Sequence, residues 1–515
     1  MPKKNKTLRL ILGDQLNLQH PWYKENNPEI VYLMAEMHQE SEYVTHHIQK
    51  IIGFFASMRA LADALSRMGH QVIYIRITDK DAKFTLNEII NKQIEQTGAT
   101  RFEYQLPDEW RLDQQLQQFC EHAKVECATS DTYHFLSERM ELRKLFPQGK
   151  NPLMETFYRM MRKRYGLLME GPAKPEGGKW NYDSENRKNY AGKDPLPEIP
   201  AMKNDCSEIL QDIQKAELKF IGHVDAHSFE WPISREQGLK LLKHFCNEAL
   251  PLFGKYQDAM HTDTWLLFHS RLSFSMNTKM ISPLEVIEAS IDAYRHSNGK
   301  ITLPQIEGFV RQILGWREYM RGIYWGWMPE FGELNFLNHQ RKLPSWFWTG
   351  DTKMNCMKHA ITQSLDKSYA HHIQRLMVTG NFALLAGIHP DEIDKWYLGI
   401  YIDAIEWVEI TNTRGMSQFA DGGIVGTKPY VSTANYIGKM SNYCKSCHYD
   451  ADDKTGPNAC PFNSLYWNFY DLHRDKFEKN PRIGMMYRIL EKMEPAQLAA
   501  TLERAGYCLD NIESL

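Results

Sequence analysis

The stretch Leu8-Arg-Leu-Ile-Leu-Gly-Asp-Gln15 decides the fold of the N-terminal part of the chain. Its apolar run is short and ends at Gly13-Asp14, a combination typical of a buried strand in a parallel sheet. Ligands of such sheets bind beyond the carboxyl ends of the strands, where Asp14 and Gln15 lie. These two residues therefore either begin a turn or face a ligand. No G-x-G-x-x-G follows the strand, so the sequence does not support a dinucleotide site here.

Strand and helix patterns alternate in the residues that follow. Short apolar or alternating runs predict strands, and longer amphipathic runs predict helices. This alternation predicts an α/β domain over residues 1–135, built on a doubly wound parallel sheet. The predicted strands are Leu8–Gly13, Ile30–Ala35, Gln71–Ile77 and Arg101–Leu106, and the predicted helices are Tyr43–Met68, Leu86–Gln96 and Leu112–His122.

Two further regions follow. Residues 136–230 are rich in Pro and Gly and include the polar stretch Trp180–Tyr190. We predict a long interdomain connector there, and an ordered functional loop and a plain linker are equally compatible with it. From residue 231 onward helical periodicity dominates and strand-like alternation is not visible. A larger all-α domain is therefore predicted over 231–515.

Composition narrows the classes of function. The 515-residue chain has a formal net charge of −3, so a nucleic-acid partner would need a local basic face. The N-terminus does not resemble a signal peptide, and no apolar run approaches the roughly 20 residues of a membrane span. We expect a cytoplasmic, soluble monomer. The nine cysteines, an odd number, argue against a disulfide scaffold.

Three cysteines near the C-terminus have the spacing of metal ligands. Cys444 and Cys447 are three residues apart, and Cys460 follows after a Gly-Pro turn. Thiolates at such spacing bind zinc or an iron–sulfur cluster. Spacing alone does not select the metal or the fourth ligand. The candidates for that ligand are Cys356, His448, His473 and Cys508.

The helical region carries polar residues that suit a charged ligand. In Ser270-Arg-Leu-Ser273, two hydroxyls and a guanidinium could donate to a diphosphate, although a helix cap would have the same pattern. Asp403 lies in an apolar stretch and needs a partner. Arg375 is the natural choice, and such a pair could also be purely structural.

These segments together resemble the photolyase/cryptochrome flavoproteins. The resemblance rests on Ser270–Ser273, Trp316-Arg-Glu318, Arg375 and Asp403, and it extends from Ile11-Leu-Gly-Asp-Gln-Leu16 to Asn463. With the cysteines, the chain is more closely similar to a bacterial iron–sulfur branch, the prokaryotic (6-4) photolyases. The resemblance implies light-driven repair of (6-4) pyrimidine–pyrimidone photoproducts in DNA by electron transfer from photoexcited reduced FAD. It also implies that Cys356 is the fourth ligand of a [4Fe–4S] cluster.

The family likeness implies a set of FAD contacts in the helical domain. Arg375 and Asp403 would form an ion pair beside the isoalloxazine ring. Glu409 stands where many photolyases have an Asn facing flavin N5. The resemblance therefore does not imply that this chain protonates its flavin as those photolyases do. The implied contacts are His269, Ser270, Arg271, Ser273, Gln312, Arg317, Arg375, Asp403 and Glu409.

The same likeness implies an antenna chromophore in the N-terminal domain, in this branch 6,7-dimethyl-8-ribityllumazine, with folate or no antenna as alternatives. Asp14, Glu40 and Tyr43 are the candidate contacts. The aromatic electron chain of ordinary photolyases is not recognisable, because position 413 is Thr. Residues that resemble this branch's alternative route, and that equally suit a core, are Trp348, Trp396, Tyr397 and Tyr401.

Lesion and DNA contacts are implied in the same way. His372 matches the presumed proton donor, and imidazole suits that task because its pKa is near neutral. His371 adjoins it, and Leu376 stands where eukaryotic enzymes of this activity carry a second His. Asp183 is a candidate for bringing a divalent cation such as Mg²⁺ to a phosphate. Tyr430 and Met416 match lesion-pocket residues, and the candidate DNA contacts are Arg187, Lys188, Arg414, Lys428 and Lys439.

Two other functions compete with repair. A cryptochrome-type blue-light photoreceptor would use the same flavin without repairing DNA. A zinc-bound nucleic-acid protein would carry the cysteines but no flavin. Flavin bands in the visible spectrum separate the zinc protein from the other two.

Overall fold

A computed structural model describes residues 6–147 and 149–515. Five parallel strands form one sheet in the order β3-β2-β1-β4-β5, with β1 at its centre. Leu8 of β1 pairs with Val31 on one side and with Phe102 on the other. The predicted doubly wound sheet is confirmed. The strands are β1 Thr7–Leu10, β2 Ile30–Ala35, β3 Gln71–Ile75, β4 Arg101–Gln105 and β5 Glu126–Ser130.

Two features of this domain differ from the sequence prediction. The edge strand β5 was not predicted, because its sequence Glu-Cys-Ala-Thr-Ser has no apolar run and both of its faces stay partly exposed. The helix predicted over Tyr43–Met68 begins only at Ile48, and residues 43–47 are not helical. His47 precedes this helix: its backbone N–H donates to the Gly399 carbonyl, and its ring accepts the Gln49 N–H as an N-terminal cap. A contact with the distant helical region thus overrides the local pattern. The helices of this domain are α1 His38–Glu42, α2 Ile48–Arg67, α3 Leu86–Thr97 and α4 Trp110–His122.

The region from 136 to 230 is more than a connector. It contains α5 Glu141–Leu145, α6 Met154–Tyr165 and α7 Ser207–Lys215. Residues of α7 belong to the core beneath the sheet, whereas those of α5 and α6 belong to a core of the helical region. The segment is therefore divided between the two domains. Its Trp180–Tyr190 stretch is irregular apart from one short turn of helix.

Helices make up the remainder, as predicted, and they pack around two further cores. Four π-helical segments interrupt the regular helices: Phe245–Ala249, Arg311–Arg317, Arg375–Gly380 and Thr411–Ser417. Within the described residues, no helix has the length and apolarity needed to cross a bilayer. The α-helices are α8 Arg235–His244, α9 Leu250–Tyr256, α10 Ser273–Asn277, α11 Pro283–His296, α12 Leu303–Val310, α13 Glu318–Trp327, α14 Asn355–Lys367, α15 His372–Gln374, α16 Asn381–Ala386, α17 Pro390–Ile400, α18 Glu406–Ile410, α19 Ala434–Met440, α20 Pro461–Leu472, α21 Arg474–Phe477, α22 Gly484–Glu491 and α23 Pro495–Asp510.

A buried cation joins the sheet to the helices. Lys279, just after α10, has a side chain that is 1% exposed and lies 2.6 Å from an Asp14 carboxylate oxygen. The same ammonium lies 3.0 Å from Asp108, at the end of β4. Charges out of water are tolerated only when they are paired and hydrogen-bonded. Lys279 therefore fixes the carboxyl edge of the sheet against the helical domain.

Replacing Lys279 with Met leaves two buried carboxylates without their cation. We expect Lys279→Met to lower the free energy of unfolding by about 3–5 kcal/mol, since removing one member of a buried ion pair costs that much. Urea denaturation followed by near-ultraviolet circular dichroism measures the change. The control is Arg76→Gln, whose exposed partner is Glu208; its loss should cost less than about 1 kcal/mol. Equal effects of the two substitutions would contradict the interdomain role of Lys279.

Candidate functional site

The Arg375–Asp403 pair forms the centre of the helical site. The Arg375 guanidinium donates to Asp403 at 2.8 Å and to the Ala370 carbonyl at 2.7 Å. Its carbon lies 3.7 Å from the centre of the Tyr401 ring, which adds a cation–π contact. Ser273 donates to the other Asp403 oxygen at 2.6 Å. The predicted pair is therefore present, and these three neighbours fix its geometry.

A second carboxylate adjoins this pair. Glu409 lies 3.6 Å from Arg375 and accepts a hydrogen bond of 3.1 Å from Thr413. Burial raises the pKa of Glu409, and the Arg375 charge opposes that shift while Asp403 adds to it. One guanidinium thus faces two carboxylates. The group that stands where many photolyases have an Asn is an acid whose proton is held more tightly than usual.

Three histidines lie beside Arg375. The rings of His269 and His371 stack with their centres 4.3 Å apart. Neither ring nitrogen of His371 has a hydrogen-bond partner among the described residues. His372 is accessible to solvent although protein surrounds it closely, as is typical of a residue that lines a deep recess. Burial, Arg375 and His269 together lower the pKa of His372 to about 4, so its ring is neutral at neutral pH.

The recess has the donors that an anionic cofactor needs. Arg271 is 1% exposed, and its Nε and Nη1 atoms have no partner among the described residues. Its guanidinium lies between the Trp231 and Trp265 rings, at 4.7 and 5.3 Å from their centres. Buried donors without acceptors are costly, so their presence points to a bound polar group. With Ser270 and the Arg375–Asp403 pair, these residues fit FAD.

Two predicted FAD contacts lie elsewhere. Arg317 points to the interdomain interface, where its guanidinium packs on Phe135 and Trp407 and contacts His134 at 3.0 Å. Its nearest link to the ion pair is a 3.4 Å contact with Asn277. Arg317 is therefore no direct neighbour of Arg375. Gln312 lies on the same π-helical segment and makes no hydrogen bond to either member of the pair in the described part of the chain.

The three predicted antenna contacts lie around one cavity. Asp14, Glu40 and Tyr43 all line a cavity of about 150 Å³ between the carboxyl edge of the sheet and the start of α18. Apolar walls come from both domains, and Phe54 and Met58 of α2 are among them. A concave apolar site with a few polar groups is typical of a small-molecule pocket. The sequence had not singled out its other polar wall residues: Glu36, His46, Lys50, Asp108, Glu109 and Glu406.

The four predicted cysteine ligands also share one cavity, a small one between α14, α19 and the loop before α20. Cys356, Cys444, Cys447 and Cys460 all line it. His448 packs on Tyr449, and His473 contacts His339 at 3.3 Å. Neither these two histidines nor Cys508 are among its lining residues. Within the described chain no three His, Cys, Asp or Glu side chains stand close enough to share one metal ion.

Three of the four predicted electron-route aromatics form one buried group. The Tyr397 ring lies 5.3 Å from that of Trp396 and 5.4 Å from that of Tyr401, and Tyr401 lies against Arg375. Trp348 is 41% exposed, and among the described residues its ring does not contact this group. The aromatic group thus runs from the ion pair toward Phe347, whose ring lies 5.2 Å from Trp396.

The predicted lesion and DNA contacts separate into exposed and buried residues. Tyr430 is half-buried, whereas Met416 and Leu376 are buried. Arg414 is 4% exposed, and its guanidinium is taken up by Asp391, Asp394 and the Leu334 carbonyl. Each of its three guanidinium nitrogens donates to one of these groups, so Arg414 is a buried, paired residue and not an exposed cation. The exposed cations are Arg187, Lys188, Lys428 and Lys439.

Several known proteins are similar to this chain over much of its length. Residues 9–230 match the family model "Deoxyribodipyrimidine photo-lyase-related protein". A (6-4) photolyase from Agrobacterium fabrum is 40% identical over 489 residues, which cover 94% of this chain and 96% of that protein. A crystal structure of a bacterial class III photolyase from Agrobacterium tumefaciens has a TM-score of 0.55 at 17% identity, covering 97% of this chain and 92% of the other. A cryptochrome from a Synechocystis species has a TM-score of 0.57 at 12% identity, covering 85% and 86%.

Proposed function

The chain belongs to the photolyase family, and we propose that it is a lyase that repairs (6-4) photoproducts in UV-damaged DNA by a light-driven reaction. The observation that carries the proposal is the recess in which His372 adjoins the Arg375–Asp403 pair. A proton donor next to a charge-stabilised cofactor site is what this repair chemistry requires. The whole-length likeness to a (6-4) photolyase supports the substrate class.

FAD would be held by the residues of this recess. Arg271 and Ser270 offer donors to its phosphates, and Arg375 and Asp403 would flank its ring system. When bound, FAD supplies an electron to the lesion after it absorbs light. The paired charges around Arg375 are buried and held by several hydrogen bonds, so they need little reorganisation when charge moves nearby.

His372 is the group that we expect to give the lesion its proton. In the protein alone its pKa is about 4, with burial as the largest cause, followed by the charge of Arg375. The imidazole therefore needs a compensating negative charge before it can act as an acid near neutral pH. Bound DNA brings such charge. We infer that His372 is protonated only when the damaged strand occupies the recess.

DNA would reach the recess through exposed cations. Lys428 lies two residues before Tyr430, the candidate lesion contact, and Arg187 and Lys188 lie in the Trp180–Tyr190 segment. Phosphate contacts of this kind position the strand, while an extruded base enters a pocket. Arg187 is paired with Asp183. Asp258 lies close enough that Arg187 lowers its pKa and Asp183 raises it. Burial raises the pKa of Asp258 to about 6, so these two carboxylates are the candidates for a Mg²⁺ ion beside a phosphate.

The four cysteines would hold a [4Fe–4S] cluster. Each thiolate of such a cluster binds a different iron, so the sulfurs stand further apart than around one ion. This agrees with four cysteines around one cavity that are not grouped for a single metal. Cys356 lies in the first turn of α14, and the other three cysteines follow α19. The cluster would therefore hold together two segments that are distant in sequence, near Tyr430. Its role would be mainly structural.

The interdomain cavity would hold the antenna. Its polar walls suit a ring with a hydroxylated side chain, and ribityllumazine has both. The second candidate function is a blue-light photoreceptor, which the fold of the Synechocystis cryptochrome supports. Light-dependent loss of (6-4) photoproducts from duplex DNA separates the two functions. A flavin-loaded protein that leaves the lesions unchanged would favour the photoreceptor.

Replacing His372 with Ala removes the proposed proton donor. We expect His372→Ala to lower the yield of repair per absorbed photon by about 100-fold, the usual contribution of a general acid. FAD content and absorbance should stay unchanged, because the Arg375–Asp403 pair is retained. The control is His296→Ala, a surface histidine with a 77% exposed side chain. Repair by His372→Ala at the parental yield would exclude this proton donor.

A charge change at Lys428 tests the DNA-binding face. Lys428→Gln should weaken binding of damaged and undamaged duplex alike, and it should reduce the slope of log affinity against log salt by about one. Fluorescence anisotropy over a salt series measures both quantities. Arg414→Gln is the contrasting variant: it should reduce stability and leave the salt slope unchanged, since its donors are buried. A normal slope in Lys428→Gln would remove this residue from the interface.

The cluster proposal predicts the metal content of the protein. Parent protein should contain iron and acid-labile sulfide, and Cys444→Ala should lose both together with flavin retention. Loss of soluble protein is the alternative expected outcome, because without the cluster α14 and the segment after α19 are no longer held together. Cys120→Ala, at a half-buried cysteine on α4, is the matched control. Soluble, flavin-loaded Cys444→Ala protein with normal repair would contradict the structural role, and zinc in the parent would contradict the cluster.

A further inference from the structure

The interdomain cavity has an unusually acidic wall. Carboxylates reach it from the carboxyl ends of three strands, from α1 and from the start of α18. Lys50 is the only lysine or arginine among its lining residues. The six carboxylates are those of Asp14, Glu36, Glu40, Asp108, Glu109 and Glu406.

Four of the six carboxylates pair with cations that are not among the residues lining the cavity. Lys279 pairs with Asp14 and Asp108. Arg59 binds Glu36 at 2.7 Å, and Arg111 binds both oxygens of Glu40 at 2.9 and 2.7 Å. None of these three cations lines the cavity itself, so each contacts its carboxylate from the side away from the cavity. The cavity side of these groups is therefore close to neutral or negative.

Glu109 and Glu406 are compensated less completely. Glu109 shares the single Arg111 with Glu40, at 2.8 Å. Glu406 accepts a hydrogen bond from the Tyr324 hydroxyl and has no ion-pair partner among the described residues. The Tyr324 oxygen also accepts the Trp110 N–H at 2.6 Å, which ties it to both domains. Glu109 therefore shares its only arginine with Glu40, and Glu406 has a hydrogen bond but no ion pair.

Their protonation follows from this shortage of positive charge. Burial raises the pKa of Glu109 to about 8, and the charges of Glu40 and Glu406 add to that shift while Arg111 opposes it. Burial raises the pKa of Glu406 as well. Near neutral pH the cavity therefore offers a carboxylic acid donor beside carboxylate acceptors. Such a wall binds hydroxyl groups and repels anions.

A buried group without a partner points to a ligand in the same cavity. His46 is 4% exposed and lines the cavity, and its Nδ1 atom has no partner among the described residues. Burial and the neighbouring Lys50 keep the pKa of His46 well below its usual value, so the ring is neutral. The Lys50 ammonium donates a hydrogen bond of 2.7 Å to the Leu398 carbonyl. A neutral polar ligand would satisfy His46 without needing a charge of its own.

We propose that Glu109 and Glu406 make the cavity selective for an uncharged heteroaromatic ring with a hydroxylated chain, and that they exclude the same ring when it carries a phosphate. The inference rests on the proposed antenna function and deepens it. A phosphate monoester carries nearly two negative charges near neutral pH. At this wall it would meet two acids with no free cation, in a poorly solvated space. The two acids are specificity-determining residues, because a phosphate there finds no free cation and is repelled by whichever of the two acids is ionised.

Riboflavin and flavin mononucleotide test this, since they differ only in the phosphate. FAD-loaded protein freed of other chromophores is titrated with each, and quenching of the added flavin's fluorescence reports binding. We expect the parent to bind riboflavin at least about tenfold more tightly, a gap that one uncompensated charge contact can produce. In the double variant Glu109→Gln/Glu406→Gln the gap should shrink to about threefold or less, with riboflavin affinity little changed.

The controls separate failure of the inference from failure of the antenna proposal. Glu208→Gln, at an exposed carboxylate with 69% accessibility, should behave like the parent. Equal affinity of the parent for both flavins would overturn the selectivity while leaving the antenna site intact, and so would an unchanged gap in the double variant. A parent that binds neither flavin would overturn the antenna proposal and this inference with it. Because the parent alone supplies two of these outcomes, a misfolded variant would not leave the question open.

Discussion

The Lys279 ammonium, buried between Asp14 and Asp108, is the interaction on which the other sites depend. Breaking a buried ion pair leaves charges without compensation, so the two domains have little freedom to move apart at this point. Lys279 follows α10 directly, and α10 also carries Ser273 and Asn277, which hold Asp403 through its carboxylate and its carbonyl. One seven-residue stretch therefore sets the position of the Arg375–Asp403 pair relative to the sheet edge. The interdomain cavity lies between the two.

The helical site owes its shape to irregular helices. Arg375 is the first residue of a π-helical segment, and a second such segment begins two residues after Glu409. An inserted residue changes the direction in which neighbouring side chains leave a helix, and such insertions are frequent at functional sites. Here the change turns Arg375 toward Asp403 and Glu409 while its Nε still reaches the Ala370 carbonyl. A regular 3.6-residue repeat would not place both acids on one guanidinium.

The sequence predicted what depends on local pattern and missed what depends on distant contacts. The apolar runs of β1 to β4 identified the sheet, whereas β5 lacks such a run and is ordered by its pairing with β4. The predicted Tyr43–Met68 helix begins later, at Ile48, just after a hydrogen bond from His47 to Gly399 that periodicity cannot show. Arg414 was a candidate DNA contact from family likeness alone, and its carboxylate partners on α17 lie too far away in sequence for the local pattern to reveal them. For Cys356 spacing left several ligands open, and family likeness selected the one that lines the cavity.

The two proposed chromophore sites differ mainly in the sign of their uncompensated charge. The helical recess contains guanidinium nitrogens of Arg271 that lack acceptors, so it favours a ligand with phosphates. The interdomain cavity contains Glu109 and Glu406, which lack sufficient cations, so it favours a ligand without them. Ring shape alone could not keep closely related chromophores apart, because both sites have apolar and aromatic walls. Charge can, since a diphosphate that gains hydrogen bonds in the recess would lose solvation without compensation in the cavity. On this view the sign of the uncompensated charge at each site decides which chromophore occupies that site.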